Sequence, residues 1–140
     1  MPRPPRIIEP HAFYHVVTRG NNKQAIFDDV LRTFFLNHLG RIARDYDWLI
    51  FAYALMTNHF HLVLRVGEAG LSKGMCELNG GFARASNARF GRVDHCFGKR
   101  FWSTHLETDG HFLASVRYTL WNPPRALWPV RNGLFATSGL

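Results

Sequence analysis

Two histidines separated by one residue, His59 and His61, and a tyrosine one helical turn before an asparagine, Tyr118 and Asn122, are the residues of this 140-residue chain whose types and spacing could do chemistry. From His59 the sequence alternates, with His59, His61, Val63 and Arg65 on one side and Phe60, Leu62, Leu64 and Val66 on the other. A period of two marks a half-buried strand. The even side chains face a core, and the two histidines emerge together on the opposite face. They stand roughly 7 Å apart by the rise per residue, close enough to converge on one ion. Read alone, His-x-His also fits a plain structural pair. Zinc is an alternative ion, although a structural zinc site would want four protein ligands.

Phe112, Val116 and Leu120, at i, i+4 and i+8, define the core face of a C-terminal helix. At about 100° per residue, Tyr118 lies roughly 160° from that face, on the same side as Asn122. A phenol beside an amide oxygen suits metal-assisted nucleophilic attack. Two imidazoles and one amide make an incomplete coordination sphere with room for phosphate oxygens and water. Mg²⁺ or Mn²⁺ there would polarise a phosphate as a Lewis acid. The Tyr118 hydroxyl could then attack phosphorus and store the cut bond as a phosphotyrosine. A phenol ordinarily titrates near pH 10, so it needs activation, for which the metal is the source at hand.

Several elements must position these groups. Phe13 to Thr18 is rich in β-formers and reads as the first strand, closed by a turn at Arg19-Gly20-Asn21-Asn22-Lys23. Asp28 or Asp29 caps a first helix, which Leu31, Phe34, Phe35, Leu39, Ile42 and Tyr46 carry to about Asp45. Trp48 to Met56 is apolar on both faces, as in a central strand, and Thr57-Asn58 turns it into the histidine strand as a hairpin. Ser72 opens a second helix with Met75, Leu78, Phe82 and Ala85 on one face. Gly80-Gly81 inside it predicts a kink or a close helix contact. Residues 89–100 read as a basic loop and 101–107 as a strand. Asp109 caps the third helix, which Asn122-Pro123-Pro124 ends. This order predicts one α+β domain, a ferredoxin-like antiparallel sheet with packed helices. It would occupy residues 13–127, after a basic proline-rich arm at 1–12 and before an irregular tail at 128–140.

Length allows one domain with a real core, and 46% hydrophobic residues exclude a disordered chain. No apolar run is long enough to span a bilayer, and the first residues lack a signal peptide's hydrophobic segment. A soluble intracellular protein with free thiols at Cys76 and Cys96 is expected. Seventeen Lys and Arg against ten Asp and Glu give a net charge of +7, which makes nucleic acid the leading partner. Nearly all the cations are arginine, suited to bidentate phosphate contacts.

Tyr14-His15-Val16-Val17-Thr18-Arg19-Gly20-Asn21-Asn22, then Ile26-Phe27, then Met56-Thr57-Asn58-His59-Phe60-His61-Leu62-Val63-Leu64, resemble the single-tyrosine HUH transposases, more closely their REP-associated tyrosine transposase branch. Phe97-Gly98-Lys99-Arg100-Phe101 is similar to that family's FQGRF segment, and residues 117–126 are similar to its RYIHLNPVRA segment. Pro124 and Leu127 replace the usual Val and Gly, and Phe82 stands where many members carry a tyrosine. The resemblance implies an HUH endonuclease fold with His59, His61 and Asn122 as metal ligands and Tyr118 as nucleophile. It also implies Mg²⁺ or Mn²⁺ as cofactor, a 5′-phosphotyrosine, single-stranded or hairpin DNA as substrate, a homodimer, and a cytoplasmic, nucleoid-associated location. Arg19, Lys99 and Arg100 are the candidate phosphate contacts.

Three functions follow. The first is a DNA-nicking and strand-transfer transposase, mobile or domesticated. The second is a catalytically idle basic nucleic-acid-binding module on the same fold. The third is a metal-binding regulatory domain. Binding alone does not need a nucleophile, and a metal sensor does not need +7, so the intact set favours the first.

Overall fold

A computed structural model describes residues 10–93, 96–97, 101–125 and 131–133, with 22, 122–125 and 131–133 described by backbone alone. The elements run β1 (Phe13–Arg19), α1 (Asp29–Asp45), β2 (Leu49–Leu55), β3 (His59–Arg65), α2 (Ser72–Phe90), β4 (Trp102–His105), α3 (Asp109–Arg125) and β5 (Arg131–Gly133). All the strand pairs are antiparallel, in the order β4-β1-β3-β2-β5. The order β4-β1-β3-β2 within it is the ferredoxin-like arrangement that the element sequence predicts. The short β5 extends the β2 edge from within the stretch expected to be an irregular tail. Three residues are too few to show a period.

One face of the sheet carries the main core. Tyr14, Val16, Ile50, Leu55, Phe60, Leu62 and Leu64 project from it against Leu31, Phe35, Leu39 and Ile42 of α1 and Met75, Leu78 and Phe82 of α2. Phe82 is fully buried, as expected of a core residue. Asp28 caps α1, accepting from the Leu31 amide at 2.8 Å. Of the Gly80-Gly81 pair in α2, Gly81 makes the close contact, since a Cβ there would stand 2.5 Å from His38 Nε2 on α1; Gly74, earlier in the same helix, packs as closely on the Trp48 ring.

α3 lies across the other face, packed on β2, β3 and β5. Phe112 joins Phe13 and Phe51 in a three-ring cluster with centroids 5.1–5.7 Å apart, and Val116 and Leu120 continue along the same seam over Ala52 and Val63. A register shift between Ile50 and Ala52 lets Phe51 and Ala52 both serve this face.

Three expectations change here. The histidine strand is buried on both faces rather than half-buried, because α3 covers the side on which His61 and Val63 lie. Thr108, not Asp109, caps α3, its hydroxyl accepting from the His111 amide at 3.1 Å. The helix also runs through Asn122-Pro123-Pro124 to Arg125 rather than stopping at Trp121. A proline forfeits its own N–H bond, but its φ is helical, so a final turn can pass through it.

Candidate active site

The site begins at the β2–β3 turn, which three backbones hold in place. Gly20 N–H donates to the Asn58 carbonyl at 2.7 Å, and the Ile26 and Phe27 amides donate to the Thr57 carbonyl. Gly20 is needed because a Cβ there would meet the Gln24 carbonyl at 2.6 Å and the Ile26 side chain at 2.9 Å. The two motifs far apart in the chain, Arg19-Gly20-Asn21-Asn22 and Thr57-Asn58-His59-Phe60-His61, are therefore one packed unit.

From this turn His59 and His61 emerge on the α3 side with ring centroids 5.1 Å apart. Two imidazoles bound through nitrogens ~2.1 Å from a common ion would hold their rings at about this separation. Asn58 orients the first ring. Its Oδ1 accepts from His59 Nδ1–H at 2.7 Å, while its Nδ2 donates to the Lys23 carbonyl at 3.4 Å, which fixes the way the amide points. The second ring meets a residue that sequence spacing does not flag. His15 of β1 places its Nε2 3.0 Å from His61 Nδ1. Antiparallel pairing of Val17 with His61 and of His15 with Val63 puts the two rings diagonally across adjacent strands.

The three rings are neutral at ordinary pH. Burial pushes His61 down to about 3, with the charges of His15, His59 and Arg19 acting the same way. Burial also lowers His59 to about 4, helped by Arg19, and His15 to about 4, helped by His111. Neutral imidazoles offer lone pairs rather than charges, as cation ligands must. Among the described residues no three His, Cys, Asp or Glu side chains are arranged to hold a metal ion. A divalent ion that used the two imidazoles would complete its shell from amide, phosphate or water oxygens.

Tyr118 comes over the pair from α3. Its ring lies 5.8 Å from His61 and 6.1 Å from His15, and it is 51% exposed. The helix explains this position better than the apolar stripe alone. Ser115 and Thr119 are buried beside Val116 and Leu120, so the buried arc is wider than the stripe. Tyr118 lies about 60° from Ser115, at the rim of that arc, where one edge meets the histidines and the other meets solvent. Asn122 is one turn further along the helical backbone, and its side chain is outside the described residues.

Arg19 is exposed, at the end of β1 directly opposite His59 in the sheet. Lys99 and Arg100 fall outside the described residues. The segment that leads to them is fixed: Phe97 bridges to Gly20, and the Cys96 carbonyl accepts from the Asn21 amide at 2.8 Å. Trp102, 55% exposed on the edge strand, stands with its ring 5.8 Å from His15. Cys76 and Cys96 are both free thiols, and no described helix is long and apolar enough to cross a membrane.

Solved structures share this architecture. A REP-associated tyrosine transposase bound to a REP hairpin superposes with a TM-score of 0.76 at 17% identity, covering 92% of this chain and 76% of the other. A putative transposase from Deinococcus radiodurans R1 superposes with a TM-score of 0.58 at 16% identity, covering 87% of this chain and 97% of the other. No curated protein sequence matches. At these identities the superpositions speak for the fold. The sequence model described as "Transposase IS200 like" matches residues 10–117, from just before β1 to the middle of α3, one residue short of Tyr118. The chain therefore belongs to the IS200-like transposase family.

Proposed function

We propose that the protein cuts and rejoins single-stranded DNA through a covalent 5′-phosphotyrosine on Tyr118, with hairpin or repeat sequences as substrate. The observation that carries this reading is the half-exposed Tyr118 ring packed within the same chain against His61, the buried, neutral member of the His59–His61 pair. Tyr118 Oη replaces O3′ on phosphorus, the P–O3′ bond breaks, and the 3′-hydroxyl leaves with a proton. The exchange conserves the phosphodiester energy, so attack by another 3′-hydroxyl reverses it and transfers the strand. His59 and His61, with Asn122 from the last helical turn, would hold Mg²⁺ or Mn²⁺. The bound ion would supply Lewis acidity to the scissile phosphate.

Arg19 would guide the backbone into the site, with Lys99 and Arg100 continuing the basic track. The solved relative bound to a REP hairpin supports hairpin DNA as the substrate class. A homodimer, as the resemblance implies, agrees with this reading, but a second copy is not needed to bring Tyr118 to His61.

The test is incubation with labelled hairpin DNA and Mg²⁺ or Mn²⁺, followed by denaturing electrophoresis. A covalent adduct is expected, lost with Tyr118→Phe and with EDTA. Binding without an adduct on any hairpin, including those flanking the native gene, would leave only a nucleic-acid-binding module.

A further inference from the structure

Both histidines of the pair are held by the same nitrogen. His59 donates Nδ1–H to Asn58 Oδ1 at 2.7 Å, and His61 Nδ1 lies 3.0 Å from His15 Nε2. The two partners differ in kind. An amide oxygen can only accept, so the first contact has one sense. An imidazole nitrogen can accept or donate, so the second contact has two. If His15 donated, His61 would carry its proton on Nε2 and could not use that nitrogen as a ligand. If His61 donates, its Nε2 carries a lone pair rather than a proton, the same tautomer as His59, and the pair is matched.

We propose that His15 is a positioning residue which accepts the Nδ1–H of His61, fixing the ring and its tautomer so that His61 meets the metal through Nε2. This rests on the reading of His59 and His61 as metal ligands. Ligating histidines are commonly held through their second nitrogen by a carboxylate, a carbonyl or water. Here the role falls to a neighbouring strand's imidazole because β1 offers no acid on this face, whose residues are Phe13, His15, Val17 and Arg19. His15 is not itself a third ligand, since its Nε2 is committed to His61 and no three-residue metal cluster exists among the described residues. It is buried, pinned between Val63 on β3 and Thr104 on β4, so it cannot swing away without disturbing the sheet.

The test is Mn²⁺ affinity by electron paramagnetic resonance on the full chain, with long-range ¹⁵N imidazole spectra of the metal-free protein. His15→Leu removes the acceptor and should weaken Mn²⁺ binding about tenfold to a hundredfold. His15→Gln, whose amide oxygen can accept, should recover most of it. In the wild type, His61 should carry its proton on Nδ1 before metal is added, and in His15→Leu on Nε2. Wild-type affinity in His15→Leu, with binding abolished in His61→Ala, would overturn the role of His15 and leave the metal site standing. Equal Mn²⁺ affinity in wild type and His61→Ala would overturn the metal site and this inference with it. Should His15→Leu fail to fold, the wild-type spectrum decides: an Nε2–H tautomer at His61 refutes the proposal.

Discussion

The histidines of the site are held neutral by burial, and this has a cost in acid. On unfolding, each imidazole returns to its ordinary pKa near 6.5. Between about pH 6.5 and the native values near 3 to 4, the unfolded chain therefore binds more protons than the folded one, and stability falls as the pH falls. The metal-free protein should lose about 2 kcal/mol per histidine between pH 7 and pH 5, on the order of 5 kcal/mol for the three together, read from denaturant midpoints, and His61→Gln should remove about a third of that loss. At Tyr118 the expectation is a separation of properties. Tyr118→Phe should leave hairpin binding within about twofold of wild type, because the ring packing survives, while covalent adduct becomes undetectable on a denaturing gel. The types of the two histidines, the tyrosine and Arg19 could be read from the sequence. The role of His15 could not: its alternation with Phe13 and Val17 tells its face, but only the register of β1 against β3 brings it to His61.

Secondary structure was legible where apolar periodicity is long. α1 spans the expected residues with Asp28 as its cap, and the β2–β3 hairpin turns where Thr57-Asn58 predicts. α3 was the exception. The apolar stripe of Phe112, Val116 and Leu120 is only partly buried, whereas Ser115 and Thr119, on its Tyr118 side, are buried. Small polar residues carry no hydrophobic signal, and that is why Tyr118 reads as opposite the core when it stands at its rim. The turn around Gly20 offers a direct test of the packed unit formed by the two motifs. Gly20→Ala forces a methyl group against the Gln24 carbonyl and the Ile26 side chain, and should cost about 1–3 kcal/mol. The same substitution should displace the Asn58 carbonyl and lower adduct yield at temperatures where the variant remains folded.

For a molecule with a net charge of +7, binding of DNA through its phosphates should be salt-sensitive. The affinity for single-stranded DNA should fall log-linearly with salt at a slope of roughly −0.7 per neutralised phosphate, and Arg19→Ala should reduce the slope by about that amount. Whether one copy suffices is a separate matter. With Tyr118 and His61 in contact inside a single chain, mixing Tyr118→Phe with His61→Ala should restore no adduct. A shared site would regenerate one intact centre per mixed dimer. The sheet's two sides are also unequal. α1 and α2 share a broad core, whereas the described contacts of α3 rest on Ala52, Val63, Leu106 and a fringe of aromatic rings. Segments held by little buried apolar surface open at lower free energy than the whole. Amides of α3 should thus exchange with deuterium sooner than those of α1. Were the proposed phosphotyrosine formed, the joined DNA end would ride on a helix held by less apolar surface than α1 and α2, an attachment that could swing a cut strand from where it was severed to where it is sealed.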